Sequence, residues 1–221
     1  MVSADTLIRW HVLAALLHTI VFLVSFGVAA VHWDKINRNG IPVIVWMPIF
    51  AGLTAIFELG ASFPFEMETR LSRRVSVLRW VEYSITASIM LVAIAQLSNI
   101  TDETTLFLGI VLPNILCQFT GYMLEKTLRW KWFFVGSVFG ILPWVFISIR
   151  FFEQWDEIPG FVVGIYFSLI LLFCTFPLVA ARYAAGYITF SRAELEYIFW
   201  SFVAKTALVV QVLGGSARTD S

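Results

Sequence analysis

The chain has 221 residues, of which 59% are apolar and 14% are charged, and its mean hydropathy is +0.83. This composition excludes a water-soluble globular domain and predicts an integral membrane protein. The 15 basic and 15 acidic residues cancel to a net charge of zero, which argues against nucleic acid as a partner. Cys117 and Cys174 both lie in apolar stretches, so they provide neither a disulfide framework nor a metal site.

Seven apolar stretches are long enough to cross a bilayer, because a helix needs about 20 apolar residues to span a hydrocarbon layer of about 30 Å. In chain order they cover residues 7–31, 41–63, 77–98, 104–124, 132–151, 160–182 and 194–213. The connections between them are short and leave no room for a soluble catalytic domain. We therefore predict an all-α fold, a single seven-helix transmembrane domain over residues 1–221, whose function lies inside the bundle.

Basic residues are distributed unevenly between the two sides of this predicted bundle. One side, which holds the N-terminus and the connections after spans two, four and six, contains Arg9, Arg70, Arg73, Arg74, Arg79, Lys126, Arg129, Lys131, Arg182 and Arg192. The other side contains Lys35, Arg38, Arg150 and Arg218 together with acidic connections. Because Lys and Arg near span ends stay in the cytoplasm, we predict a cytoplasmic N-terminus and an extracellular C-terminus, in a multi-pass protein of the cell membrane.

Four ionisable residues fall well inside predicted spans, where a charged group is costly and marks a candidate functional site. They are Lys205 in span seven, Glu82 in span three, Glu58 in span two and His18 in span one. Lys205 lies about 20 Å along its helix, too deep for its amine to reach the interface. A lysine at that depth pairs with an acid, loses its proton or is condensed with an aldehyde.

The sequence leaves two alternatives for Glu82. It either forms a salt bridge with Arg79, which lies one turn earlier on the same helix face, or lines a polar cavity. The hydroxyl-rich segment that follows it favours the cavity. Ser201 precedes Lys205 by one turn on the same face, where its hydroxyl either links the lysine to an acid or bonds to its own helix.

The sequence also allows two alternative roles each for Glu58 and His18. Glu58 either shares the cavity with Glu82, in which case two close carboxylates do not both ionise, or pairs near Arg70. His18 is either a proton acceptor or an interior histidine whose hydrogen bonds are satisfied locally.

The segments around two of these residues resemble a known family. Residues 80–84 (WVEYS) and residues 201–206 (SFVAKT) are similar to segments of the heliorhodopsins, which are seven-helix retinal proteins with inverted membrane topology. The resemblance covers essentially the whole chain. It implies that Lys205 binds all-trans retinal as a protonated Schiff base, that Glu82 is the counterion, and that Ser201 makes a hydrogen bond near this pair.

The same resemblance implies a proton-accepting cluster and a homodimer. In the family, histidines of the first two helices help to receive or store the Schiff base proton, and His18 matches the first of them. Span two has no histidine, and Glu58 is the candidate substitute. The first connection, residues 32–40, is shorter than the long loop that contributes to dimer contacts in the family, so the chain departs from the family pattern there.

The walls of a retinal pocket are expected to be aromatic. Candidate wall residues are Met90, Trp144, Tyr166, Phe167, Phe173, Phe176 and Trp200, although aromatic side chains that face lipid produce the same sequence pattern.

These observations favour a light sensor with a slow photocycle that signals through a cytoplasmic partner and does not pump ions. Light-gated or light-driven proton transport is the alternative, because Glu58, Glu82, His18 and a glutamate of span seven, Glu194 or Glu196, provide titratable groups. A retinal-free membrane scaffold or transporter is a third hypothesis. The sequence has no metal-ligand cluster, nucleophile elbow or phosphate loop, so we expect neither an enzyme nor a bound metal.

Overall fold

The computed structural model of the chain describes residues 2–31 and 43–218. The residues in these ranges form helices and connections, and none of them lies in a β-strand. The helices are α1 (Ala4–Val31), α2 (Val43–Ala61), α3 (Pro64–Arg73), α4 (Val77–Leu97), α5 (Leu112–Thr127), α6 (Trp130–Glu153), α7 (Gly160–Ala184) and α8 (Phe190–Arg218). A π-helical segment, Thr105–Val111, continues directly into α5.

Seven of these helices, all except α3, are long and apolar enough to cross a membrane when α5 is taken together with its π-helical segment, as the sequence predicts. Consecutive spans run antiparallel because the described connections are short, and α1 also contacts α8, which closes the ring. We call the end of the bundle at which α1, α4, α6 and α8 begin the N-terminal end. Residues 32–40, on which the expected homodimer contact depends, lie outside the described residues.

The short helix α3 occupies a stretch that hydropathy assigns to a connection. It begins at Pro64, which suits the first helical position because the N–H that proline lacks has no helical partner there. It ends at Arg74, whose φ of 53° is left-handed. Its polar sequence hides it from a hydropathy criterion, yet Met67 and Arg70 are buried against the bundle.

Several spans extend beyond their predicted bounds at the N-terminal end, and two of them thereby include a carboxylate. α5 continues to Thr127 and α8 begins at Phe190, so Glu125 and Glu194 lie within regular helix. Hydropathy places the span ends at or near these carboxylates, because it scores them as solvated. In the structure both carboxylates are buried and paired with Arg79, so the helices can include them.

The apolar core lies in the half of the bundle away from the N-terminal end. It consists of large side chains from α2 and from α4 to α8, among them Met47, Phe50, Ile94, Ile110, Ile147, Phe151, Ile165, Leu208 and Val212. Because lipid is as apolar as these side chains, they stabilise the bundle through van der Waals packing between the helices. The buried charged side chains that the structure describes lie between the middle of the bundle and the N-terminal end, and the candidate site is therefore there.

Candidate functional site

Lys205 and Glu82 form a buried ion pair between α8 and α4. Lys205 Nζ lies 2.5 Å from Glu82 Oε1, and the two residues are 3% and 4% exposed. The ring of Tyr83 lies beside the pair, with its centroid 5.4 Å from Nζ. Of the two sequence alternatives for Glu82, the structure has the interior one, because the side chain contacts Lys205 and not Arg79.

A large apolar cavity begins at Lys205 and extends between α4, α5, α6, α7 and α8. Its volume is about 440 Å³, within the range of roughly 300 to 1,000 Å³ that small-molecule sites occupy. Lys205 and Ser201 both line it. The Ser201 hydroxyl is buried and has no hydrogen-bond partner among the described residues, so it is available to a group in the cavity.

The predicted wall residues divide into two groups. Four of them line the cavity, namely Met90, Trp144, Phe173 and Phe176. Three are not among its lining residues, namely Tyr166, Phe167 and Trp200. Tyr166 stacks on Phe151 in the apolar core, Phe167 is 47% exposed, and Trp200 packs edge-on against Phe199.

Sequence analysis missed the glycines that give the cavity its width. Gly121 on α5 and Gly140 on α6 line the cavity without contributing a side chain. A Cβ at Gly121 meets the Trp80 ring at 2.4 Å, and a Cβ at Gly140 meets Cys117 Sγ at 3.2 Å. A cluster of glycines in adjacent apolar spans is the signal that indicates close approach of other groups.

Arg79 connects three helices near the N-terminal end of the bundle. Its guanidinium donates to Glu194 of α8 and to Glu125 of α5, and it lies 4.2 Å from the centroid of the Tyr197 ring. Trp80 Nε1 also donates to Glu125, at 2.8 Å. The sequence indicated Arg79 only as a neighbour of Glu82. Its ion pairs with α5 and α8 are visible only in the tertiary structure.

Glu58 pairs with a histidine that the sequence analysis did not single out. Its Oε2 atom lies 2.5 Å from Nδ1 of His11, and both residues are 4% exposed. Arg70 contacts Glu66 at 3.0 Å and Glu194 at 3.7 Å, so the predicted alternative of a Glu58–Arg70 pair is not the one observed. The available signal was the spacing of seven residues between His11 and His18, which places both on one face of α1.

His18 is fully buried and forms no ion pair with a carboxylate of the described residues. Its Nδ1 atom lies 2.9 Å from the carbonyl oxygen of Ala14, and its ring packs edge-on against Phe202. Nε2 has no hydrogen-bond partner among the described residues. The structure therefore brings Glu58 together with His11 rather than with His18.

A second, small cavity lies between these groups. Its volume is about 10 Å³, close to the smallest space that holds one water molecule. Charged and polar groups from five helices line it, namely His11, Glu58, Arg70, Arg79, Glu82, Tyr83 and Glu194. It joins the His11–Glu58 pair to Glu82, which is one partner of Lys205.

The solved structures that this chain resembles include light-driven proton pumps and a rhodopsin phosphodiesterase. The light-driven proton pump of Leptosphaeria maculans matches with a TM-score of 0.74 and 15% identity, over 99% of this chain and 98% of that one. The proton pump of Coccomyxa subellipsoidea matches with a TM-score of 0.73 and 18% identity, over 94% and 95%. The transmembrane domain of the Salpingoeca rosetta rhodopsin phosphodiesterase matches with a TM-score of 0.75 and 15% identity, over 97% and 85%. At these identities the likeness shows the fold alone.

The sequence itself identifies the family within this class. The heliorhodopsin family model matches residues 26–217, so the chain belongs to the heliorhodopsin family. No curated protein matches the chain in sequence. Family membership implies a retinal chromophore, and the residues present fit one, because an apolar cavity of sufficient volume ends at a buried lysine and an unpartnered hydroxyl.

Proposed function

We propose that the protein is a light sensor in which Lys205 carries all-trans retinal as a protonated Schiff base and Glu82 is the counterion. The observation that carries the proposal is the position of Lys205, buried in the wall of the 440 Å³ cavity and paired with a carboxylate. Retinal bound there supplies absorption of visible light and photoisomerisation.

The side chains around Lys205 have distinct tasks in this proposal. Glu82 places a negative charge beside the lysine nitrogen, which keeps that nitrogen protonated in a medium of low dielectric constant. Ser201, one turn before Lys205, offers a hydroxyl to the same region. Trp144 and Phe173 pack edge-on with their ring centroids 5.3 Å apart and supply a rigid apolar wall.

The distribution of ionisable groups supports a sensor over a proton pump. Every buried carboxylate, histidine, arginine and lysine side chain that the structure describes lies at the level of Lys205 or nearer the N-terminal end. Beyond Lys205, α8 buries Leu208, Val209 and Val212 in the apolar core. Titratable carboxylates and histidines inside spans mark proton paths. Beyond Lys205 the described polar contacts are neutral ones, such as those of Gln211 with Ser168 and of Tyr166 with Ser148, so this arrangement supports proton movement confined to one side.

In the orientation that we propose, the polar half of the bundle is accessible to proteins of the cytoplasm. With the N-terminus in the cytoplasm, the polar end of the bundle and the exposed basic residues of its connections face the cytoplasm of a cell whose membrane holds the protein. A cytoplasmic signalling protein is the partner that this arrangement favours.

The test is the colour of the purified protein reconstituted with all-trans retinal. We expect absorption in the visible range, its loss in Lys205→Ala, and its retention in Lys131→Ala, which removes an exposed lysine at the start of α6. A colourless wild type contradicts the proposal and favours a retinal-free scaffold or transporter. A light-dependent current that follows the proton gradient in expressing cells favours proton transport instead.

A further inference from the structure

The connection between α5 and α6 carries three exposed cations, namely Lys126, Arg129 and Lys131. We call these three residues the basic connection. They lie within six consecutive positions around the turn at which α5 ends and α6 begins. None of them forms an ion pair with a carboxylate of the residues that the structure describes. Other exposed cations do have such partners, namely Arg150, Arg182 and Arg192.

The one carboxylate close to the basic connection in sequence is turned into the bundle. Glu125 is the only acidic residue from position 104 to position 152, and it directly precedes Lys126. It is 5% exposed and accepts hydrogen bonds from the Arg79 guanidinium, from the Ser76 backbone N–H at 2.9 Å and from Trp80 Nε1 at 2.8 Å. Its charge therefore stabilises the interior, and the three positive charges of the basic connection remain at the surface.

Aromatic rings hold two of these cations at the end of the spans. Lys126 Nζ lies 5.6 Å from the centroid of the Tyr122 ring, and Lys131 Nζ lies 5.0 Å from the centroid of the Trp132 ring. An ammonium group is attracted to the face of an aromatic ring. Because tryptophan and tyrosine concentrate where the bilayer meets water, these contacts keep the ammonium groups at the level of the lipid headgroups.

Exposed apolar side chains adjoin the basic connection. Leu128 is 47% exposed, Trp130 is 42% exposed and Phe134 is 63% exposed. Side chains of this kind at a span end contact lipid chains, while neighbouring lysine and arginine side chains reach the headgroups. A soluble acidic protein has a charge that suits the three cations, but an anionic lipid suits both the cations and the apolar side chains beside them.

We propose that the basic connection is a binding site for an anionic phospholipid. The phosphate lies among the three cations, and the acyl chains lie along Leu128, Trp130 and Phe134. Leu124 and Trp132, on the two helices that the connection joins, line the large cavity, so the bound lipid stabilises one wall of that cavity. In the orientation that we propose, this end of the bundle lies in the cytoplasmic leaflet, which contains anionic lipids. The lipid site requires neither retinal nor a particular photochemical function.

The first experiment compares how purified protein binds phosphatidylglycerol and phosphatidylcholine, measured by native mass spectrometry. We expect the wild type to bind phosphatidylglycerol more tightly. The triple variant Lys126→Gln/Arg129→Gln/Lys131→Gln should lose at least about ten-fold of this preference, because each cation near an anionic lipid surface strengthens binding about five-fold. Phosphatidylglycerol should also raise the melting temperature of the wild type and not that of the variant.

A matched variant separates a site from general attraction by positive charge. Arg9→Gln/Arg73→Gln/Arg74→Gln removes three exposed cations from the same end of the bundle, and it should keep the wild-type preference. An equal loss in the two triple variants overturns the proposal, because net charge would then explain the binding. Absence of any preference in the wild type also overturns it and favours a soluble acidic protein as the partner of the basic connection.

The second experiment uses the wild type alone, so it does not depend on the folding of a variant. Phosphatidylglycerol with a photoreactive group near its glycerol backbone should cross-link to residues 119–134, which include the basic connection and its apolar neighbours. Cross-links confined to other segments overturn the proposal. Soluble glycerol 3-phosphate at the concentration of the lipid should not reduce the cross-linking, because it has no acyl chains. If it does, the site binds phosphate groups in general, and the assignment to a lipid is wrong.

Discussion

Lys205 and Glu82 are 123 positions apart in sequence, yet Lys205 Nζ lies 2.5 Å from Glu82 Oε1 in the centre of the bundle. The contact joins α8 to α4 at the wall of the large cavity. A buried cation without this carboxylate is strongly disfavoured, and the carboxylate without the cation is equally so. The pair therefore holds α8 against α4. It also places a negative charge beside any group bound to Lys205.

Replacement of Glu82 by glutamine tests the counterion. The neutral amide neither localises nor stabilises a positive charge on the Lys205 nitrogen, so we expect absorption at longer wavelength and loss of the visible form at lower pH than in the wild type. Spectra recorded during a pH titration measure both effects. Glu66→Gln, which removes a partly exposed carboxylate of α3, is the control and should titrate as the wild type does. An unchanged spectrum in Glu82→Gln contradicts the counterion role.

Narrowing of the cavity at Gly140 tests whether this space holds the chromophore. Gly140→Leu places a side chain in the cavity between α5 and α6, and we expect the yield of visible pigment to fall several-fold while the folded protein survives. The control is Gly164→Leu, at a helical glycine of α7 where an added Cβ meets no atom within 4 Å. Pigment yield per folded protein, with folding measured by size-exclusion chromatography, gives the comparison. Equal yields in the two variants would place the chromophore elsewhere.

The ion pairs that Arg79 forms with Glu125 and Glu194 should contribute strongly to the free energy of unfolding. Arg79→Met leaves buried Glu125 without a cation and leaves Glu194 with only its 3.7 Å contact to Arg70, which costs about 3–5 kcal/mol of the free energy of unfolding. Arg182→Met breaks an exposed contact with Glu196 and should cost about 0–1 kcal/mol. Denaturation in detergent measures both values. If the prediction holds, adding Glu194→Gln to Arg79→Met recovers part of the loss, whereas similar losses for the two single variants refute it.

The orientation predicted from the basic residues can be tested with terminal tags. In intact cells a tag before Met1 should resist an external protease, and a tag after Ser221 should be cleaved, because lysine and arginine near span ends remain in the cytoplasm. Permeabilised cells, in which both tags are cleaved, are the control. Identical behaviour of the tags in intact cells contradicts an odd number of spans. Reversed behaviour contradicts the orientation.

Hydropathy alone predicts the spans of this fold, because each span must satisfy its backbone hydrogen bonds within its own segment. About 20 consecutive apolar residues must form a helix in a membrane, because every backbone N–H and C=O has to be satisfied within the segment. The seven spans, the depth of Lys205 and its one-turn spacing from Ser201 all follow from counting residues at about 1.5 Å each. The motifs around Glu82 and Lys205 likewise indicated the family, which the family model confirms.

Residue spacing left the partners of Glu82 and Glu58 open, and only the family resemblance pointed from Glu82 to Lys205. The sequence allowed Glu82 to pair with Arg79, and Glu58 to pair near Arg70, because residues one turn apart or at adjacent span ends are always plausible neighbours. The observed partners, Lys205 and His11, lie on other helices, and their contact depends on how α1, α2, α4 and α8 are rotated about their axes.

The rotation of the spans also decided which aromatic side chains line the cavity. In a soluble protein the polar face of a helix reveals its outer side, but lipid is as apolar as a protein interior. Phe173 in the cavity wall and the half-exposed Phe167 therefore look alike in sequence. Only the packing of α7 against its neighbours turns Phe173 into the cavity and Phe167 to the outside of the bundle.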